Sequence, residues 1–143
     1  MWIILALGAS MFWGMSYVLS EEIYKKISLF TSLAISSFVI FLISLLISIF
    51  HKSFKADLAV IASSRNLFWY VVIGILCFLI AELFIGFSII SKNATLAGLI
   101  EISYPIFIAI FSYILFRSKI SIPTIIGGAV VFFGIFIIYY FNR

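Results

Sequence analysis

The chain has 143 residues, of which 66% are hydrophobic and only 10% are charged, and its mean hydropathy is +1.35. An average soluble domain carries about 25% charged residues. A water-soluble fold of this length cannot bury so many apolar side chains, so the composition excludes soluble enzymes, nucleic-acid-binding proteins and disordered chains. The net charge of +4 comes from basic residues that fall mostly between apolar segments, as expected beside lipid headgroups.

Five apolar segments follow one another along the chain, at about residues 2–19, 29–50, 68–90, 94–116 and 122–141. Each has close to the ~20 residues that an α-helix needs to cross the hydrocarbon core of a bilayer. The sequence therefore predicts an all-α integral membrane protein, with five transmembrane helices in a single membrane domain over residues 1–143. The lipid bilayer is its predicted environment.

The longest connection lies between the second and third segments. Within it Phe54, Leu58 and Ile61 recur at the spacing of one helical face, and charged residues lie on other faces. This pattern favours an amphipathic helix at about residues 53–63 that lies on the bilayer surface. An irregular loop is the alternative.

The basic residues give little indication of orientation. With five spans, they divide five to four between the two sides of the membrane: Lys52, Lys55, Arg65, Arg117 and Lys119 against Lys25, Lys26, Lys92 and Arg143. Basic residues normally collect on the cytoplasmic side, and a difference of one expresses almost no preference. Two interpretations stay open. Either the first helix or a partner fixes the orientation, or the chain inserts both ways and pairs with an inverted copy of itself.

Two acidic residues, Glu82 and Glu101, lie inside apolar segments. A carboxylate at the bilayer centre costs ~2.5–3.5 kcal/mol on insertion scales, which makes such residues candidates for function. At 1.5 Å per residue, each lies ~14–15 Å from the turn near Lys92, close to the middle of the bilayer. Two carboxylates at one level could share a proton, which favours proton or cation coupling. The alternative is a purely structural role for both.

Other residues of the first and fourth segments are candidates for a substrate site. Trp13, Tyr17 and Tyr104 could wall a pocket for an organic cation through their ring faces, although ordinary aromatic packing is the alternative. Pro105 frees a backbone carbonyl within the fourth segment. Ser10 occupies the middle of the first.

Small residues favour close contacts between helices. Gly14 follows Ala6 and Ser10 at four-residue spacing, Gly127 and Gly134 are seven residues apart, and Gly128 lies four residues after Thr124. Such spacing lets helix backbones approach, either within one chain or between two. The sequence has no nucleophile–base set and no metal-ligand spacing, so we expect neither an enzyme nor a metal site nor a cofactor.

The sequence resembles a known transporter family in three segments. Residues 6–17, with Trp13-Gly14 followed by Ser16, look like the first helix of EamA-type members of the drug/metabolite transporter superfamily. Residues 101–107, with Pro105 in mid-helix, are similar to the fourth helix of that family, and residues 123–134 resemble its fifth. The last segment also resembles the last helix of the small multidrug resistance branch, in which glycines seven apart form a dimer contact.

This resemblance implies a half-size transporter. Members of the family usually have ten helices, built as two five-helix halves in opposite orientations, and move small metabolites and drugs by alternating access. The chain resembles one half, which implies an antiparallel homodimer or pairing with a homologous half-transporter. We expect a multi-pass protein of a bacterial inner membrane.

The sequence therefore predicts a transporter for a small metabolite or organic cation, coupled to protons or another cation, with no nucleic acid as partner. Two alternatives stay open. One is a non-catalytic accessory subunit of a larger membrane complex, and the other is a subunit of a lipid-linked sugar flippase.

Overall fold

The computed structural model of the protein describes residues 1–141, and the basic residue Arg143 in the charge comparison above lies outside them. In that range the chain forms helices and no strand. The seven helices are α1 (Trp2–Tyr24), α2 (Leu29–Phe50), α3 (Phe54–Ser63), α4 (Arg65–Ser91), α5 (Ala94–Glu101), α6 (Tyr104–Phe116) and α7 (Ile122–Phe141).

Five helical spans are long and apolar enough to cross a membrane: α1, α2, α4, the pair α5 and α6 together, and α7. The predicted all-α membrane fold is therefore confirmed. Two spans extend beyond their apolar cores, because α1 continues to Tyr24 and α4 begins at Arg65. Charged residues at helix ends can reach the headgroup region. Hydropathy alone therefore ends α1 too early and begins α4 too late.

Nearly every large apolar side chain on these helices is exposed. Only four hydrophobic residues are buried in the described part of the chain: Leu29, Ile89, Ala94 and Ala97. In water such a surface would drive aggregation, whereas lipid chains are as apolar as leucine and make it favourable. This surface is therefore suited to the bilayer core and not to water.

One compact unit comprises residues 20–90. In it the beginning of α2 packs against the end of α4. Leu29, only 3% exposed, lies directly over Gly86, where an added Cβ would come within 3.0 Å of both leucine methyl groups. One residue further along, Phe30 and Phe87 meet edge to face with ring centroids 6.2 Å apart. The missing side chain at Gly86 is what allows this close approach.

A tight turn separates α2 from α3. Lys52 adopts a left-handed conformation, with φ of 57°. Its N–H donates to the Ile49 carbonyl at 2.9 Å, and the Ser53 N–H donates to the Ser48 carbonyl at 3.1 Å. This pair of bonds is the Schellman arrangement that ends many helices, usually with glycine at the left-handed position. At the other end of α3, Ser64 is extended and separates α3 from α4.

The link between α1 and α2 is short, and one of its lysines is paired with a glutamate near the end of α1. The Lys25 ammonium donates to a Glu22 carboxylate oxygen at 2.5 Å. This hydrogen bond, with the nearby negative charges of Glu22 and Glu21, raises the pKa of Lys25 above its ordinary value. The Ser28 hydroxyl then caps α2 by accepting from the Thr31 N–H at 3.2 Å.

The second compact unit comprises residues 1–19 together with residues 91–141. The Asn93 side chain accepts from the Leu96 N–H at 2.8 Å and so caps α5 directly after the turn that ends α4. Further along, α7 packs against α6, where Gly128 lies beneath Ile106. An added Cβ at Gly128 would lie 3.2 Å from the Ile106 side chain, so this glycine sets how closely the two helices approach.

Candidate transport site

The fourth span is not the single helix that the sequence predicts over residues 94–116. It is interrupted at Ile102 and Ser103, between α5 and α6. Pro105 lacks an N–H and its ring clashes with the carbonyl four residues earlier, so a regular helix cannot continue through it. The Ile106 N–H donates instead to the Ser103 carbonyl, three residues back, at 3.0 Å. Ile102 and Ser103 both keep right-handed helical dihedrals. The break is therefore a short turn with hydrogen bonds to the third residue back, and the chain does not reverse direction there.

The break leaves the backbone carbonyl of Glu101 without its usual helical donor, beside the carboxylate of the same residue. Glu101 is the last residue of α5, about 12 Å along the span from the cap at Asn93 at 1.5 Å per residue. Its carbonyl has no amide donor four residues later, because that residue is Pro105. Non-helical backbone within a bilayer is tolerated only where protein or a cavity surrounds it. The carboxyl end of α5 and the amino end of α6 meet here with opposite partial charges, so the carboxylate of Glu101 is the group at the break that would attract a cation.

Tyr17 joins α1 to this break. Its hydroxyl donates to the Glu101 carboxylate at 2.5 Å, across 84 residues of sequence, and both side chains are half-buried. The tyrosine ring lies over Gly98, where an added Cβ would be 3.3 Å from the ring. Gly98 therefore leaves the space through which the hydroxyl reaches Glu101, one turn further along α5.

A second aromatic ring extends this cluster. Trp13 lies one turn before Tyr17 on α1, with ring centroids 5.8 Å apart and planes tilted by 53°. Trp13 is 49% exposed, so about half of its surface is left uncovered by the rest of the chain. Of the residues predicted for the site, the structure brings Trp13, Tyr17 and Glu101 together.

Tyr104 and Ser10, also predicted for the site, are not joined to this cluster by a hydrogen bond or ring contact within residues 1–141. Tyr104 begins α6, is 56% exposed and makes no ring contact within residues 1–141. The Ser10 hydroxyl donates to the Ala6 carbonyl of its own helix at 3.1 Å. A serine that bonds back to its helix has its hydroxyl occupied, so Ser10 offers a bound molecule less than the sequence suggests.

An apolar groove runs between α6 and α7. Its volume is about 380 Å³ and its lining is almost entirely aliphatic. Residues along it include Ile102, Pro105, Ile106, Thr124, Gly128 and Phe132. Because Ile102 follows Glu101 in the chain, the groove begins at the helix break. The sequence gives no indication of it, since its two walls come from different helices.

The second predicted acid, Glu82, lies on α4 in the unit formed by residues 20–90 and is half-buried. Its predicted sharing of a proton with Glu101 stays a prediction. Within residues 1–141 no group of three His, Cys, Asp or Glu side chains is placed to hold a metal ion.

The glycines predicted to mediate helix contacts fall into two groups. Gly128 is in contact with Ile106, as described above. At Gly14, Gly127 and Gly134 an added Cβ would meet nothing within 4 Å. Gly127 and Gly134 share one face of α7 because they are seven residues apart. Gly127 also lines the groove between α6 and α7, and Gly134 is half-buried.

An all-helical chain with five membrane spans, one of them broken beside a carboxylate, has the features of a multi-pass membrane transport protein. The model of the EamA-like transporter family matches residues 1–140. The chain therefore belongs to the EamA-like transporter family, and the resemblance drawn from its first, fourth and fifth segments is confirmed. It is a multi-pass membrane transporter of the drug/metabolite type. No curated protein and no solved structure matches the chain.

Proposed function

We propose that the protein moves a small metabolite or organic cation by alternating access, coupled to protons or another cation, with Glu101 as the exchanging group. The observation that carries this proposal is the hydrogen bond from Tyr17 to Glu101 at the break between α5 and α6. A carboxylate beside a free carbonyl, inside a membrane span, is suited to bind and release a cation.

The Tyr17–Glu101 bond links the binding of a cation at Glu101 to a movement of the helices. While Glu101 is ionised, the Tyr17 hydroxyl holds it through a charge-assisted bond, which ties α1 to the end of α5. A proton or a cation at the carboxylate removes that charge and weakens the bond. The break at Ile102 and Ser103 then allows α6 to move relative to α5, since helix interruptions absorb changes in backbone dihedrals.

Further residues complete the proposed site. The half-exposed ring of Trp13 and the exposed ring of Tyr104 are proposed to contact an organic cation. Pro105 maintains the break, and Glu82 is proposed as a second protonatable group on α4. Neither a metal nor an organic cofactor is part of this mechanism, and we propose no enzymatic reaction.

Transport by the purified protein in liposomes tests this proposal. Ethidium serves as an organic-cation probe and a radiolabelled amino-acid mixture as a metabolite probe, each with an imposed proton gradient. We expect one of them to accumulate above the level in protein-free vesicles, and a protonophore to abolish the accumulation. Uptake equal to that of protein-free vesicles for both probes would contradict the proposal.

We further propose that this five-helix unit works with a second unit in the opposite orientation, an inverted copy or a homologous half, in a bacterial inner membrane. The five-to-four division of basic residues supports it, because such a chain has little preference for either orientation. We expect C-terminal fusions to a cytoplasm-active fluorescent protein and to an externally active phosphatase both to be active. Activity of one fusion alone would rule out the inverted homodimer and leave the homologous half.

The face of α7 that carries Gly127 and Gly134 is the proposed contact between the two units, because an added Cβ at either glycine would meet nothing within 4 Å. In an inverted pair, identical residues meet only near the bilayer centre, and Gly134 lies close to the middle of α7. The sequence has one cysteine, Cys77, which is first replaced by serine. In this Cys77→Ser background we expect Gly134→Cys to form a disulfide-linked dimer. The matched control is Gly128→Cys, whose position faces Ile106 of the same chain and which should stay monomeric. Equal cross-linking of the two variants would refute this contact.

A further inference from the structure

We propose that α3 and the basic residues beside it form a docking surface for the headgroups of anionic phospholipids. This surface consists of residues 51–65, between the end of α2 and the first residue of α4. It shares no residue with the cluster around Glu101, and the inference does not rest on the proposed transport function.

The connections of α3 place it at headgroup level. It has ten residues, so its length is about 15 Å, half of the hydrocarbon thickness. Each of its neighbours, α2 and α4, is long and apolar enough to span the membrane. The left-handed turn at Lys52 and the extended Ser64 make α3 a separate helix rather than a continuation of either span. A short helix between two spans is therefore held at the membrane surface.

Its apolar side is suited to the boundary between headgroups and acyl chains. Phe54, Leu58 and Ile61 share one face, and the first two are 38% and 49% exposed. Surface helices of membrane proteins insert such a face into this boundary while their charged residues remain among the headgroups.

The charges select the kind of lipid. Lys52, Lys55 and Arg65 are all exposed, and Asp57 is the only acid between residues 51 and 65, so three positive charges minus one negative leave a net charge of +2. Basic clusters beside a membrane span attract anionic lipids. Zwitterionic headgroups, which are neutral overall, gain no comparable attraction.

The link between α1 and α2 provides a contrast within the same chain. It contains two lysines, Lys25 and Lys26, but Glu21 and Glu22 precede them, and the net charge of these four residues is zero. One of the lysines is bonded to Glu22 at 2.5 Å. Both segments contain two lysines, but only the surface at α3 has a net positive charge. In the link between α1 and α2 the two glutamates neutralise the lysines.

Lipid titration of the full-length protein in a neutral detergent tests the inference. The probes are dioctanoyl-phosphatidylglycerol and dioctanoyl-phosphatidylcholine, and the apparent Kd comes from the shift in thermal midpoint. We expect the wild type to prefer phosphatidylglycerol, and Lys52→Gln/Lys55→Gln to weaken its binding by about fivefold for each lysine removed. Asp57→Asn should strengthen it by a similar factor, and molar salt should remove the preference.

The matched control is Lys25→Gln/Lys26→Gln, which removes the same number of lysines and should leave the preference unchanged. The midpoint of each variant without lipid establishes that it is folded. Equal Kd values of the wild type for the two lipids would overturn the inference, as would an equal loss in the control variant. Because no transport is measured, these outcomes are independent of those that test the proposed function.

Discussion

Replacing Glu101 by glutamine is expected to abolish accumulation driven by a proton gradient, with a loss of at least about tenfold. Glutamine keeps the size of the side chain and still accepts a bond from Tyr17, but it cannot release a proton. A bond to a neutral acceptor is also weaker than one to a carboxylate by about 1–2 kcal/mol, and 1.4 kcal/mol corresponds to a factor of ten. The measurement is initial uptake and final accumulation in the liposome assay described above.

Two further variants sharpen this test. Tyr17→Phe removes the donor and keeps the carboxylate, so we expect transport to persist with an altered dependence on pH. Glu22→Gln is the matched control, because it neutralises an exposed acid whose partner is Lys25 and should leave transport unchanged. Full accumulation by Glu101→Gln would eliminate Glu101 as the coupling group. If Glu101→Leu were also tolerated and a larger partner co-purified, the accessory-subunit interpretation would replace transport.

The second large effect is expected at Gly86. Replacing it by alanine places a methyl group within 3.0 Å of both terminal carbons of Leu29, which is buried and cannot turn away freely. Overpacking of this kind typically lowers the free energy of unfolding by about 1–3 kcal/mol. The measurement is the unfolding midpoint of the purified protein in a mild detergent, by titration with a denaturing one.

Gly74 on the same helix is the matched control. An added Cβ there meets nothing within 4 Å, so Gly74→Ala should be as stable as the wild type or more stable. The double variant Leu29→Ala/Gly86→Ala should recover part of the loss, because the smaller residue at position 29 makes room for the new methyl group. If Gly86→Ala matched Gly74→Ala in stability, the packing of α2 on α4 would not depend on this glycine.

The family resemblance of this chain could be recognised from the sequence because its motifs lie in order along single helices. Trp13-Gly14 in the first segment and the glycines of residues 123–134 are contiguous patterns, and they do not depend on how the helices pack. The match of the family model over residues 1–140 agrees with them. Glu101 is likewise visible as an acid inside an apolar run, whatever its neighbours are.

The sequence by itself determined the class of fold, because the bilayer imposes it. Lipid provides no hydrogen-bond partners, so each long apolar segment must satisfy its backbone internally as a helix. Hydropathy and length therefore define the five spans. Pairing between distant residues was decided only by the tertiary structure: Tyr17 with Glu101 over Gly98, and Leu29 over Gly86. Each pair depends on how two helices are rotated about their axes and how they are shifted along the membrane normal. Helices that are apolar on every face carry no sequence pattern that specifies either quantity.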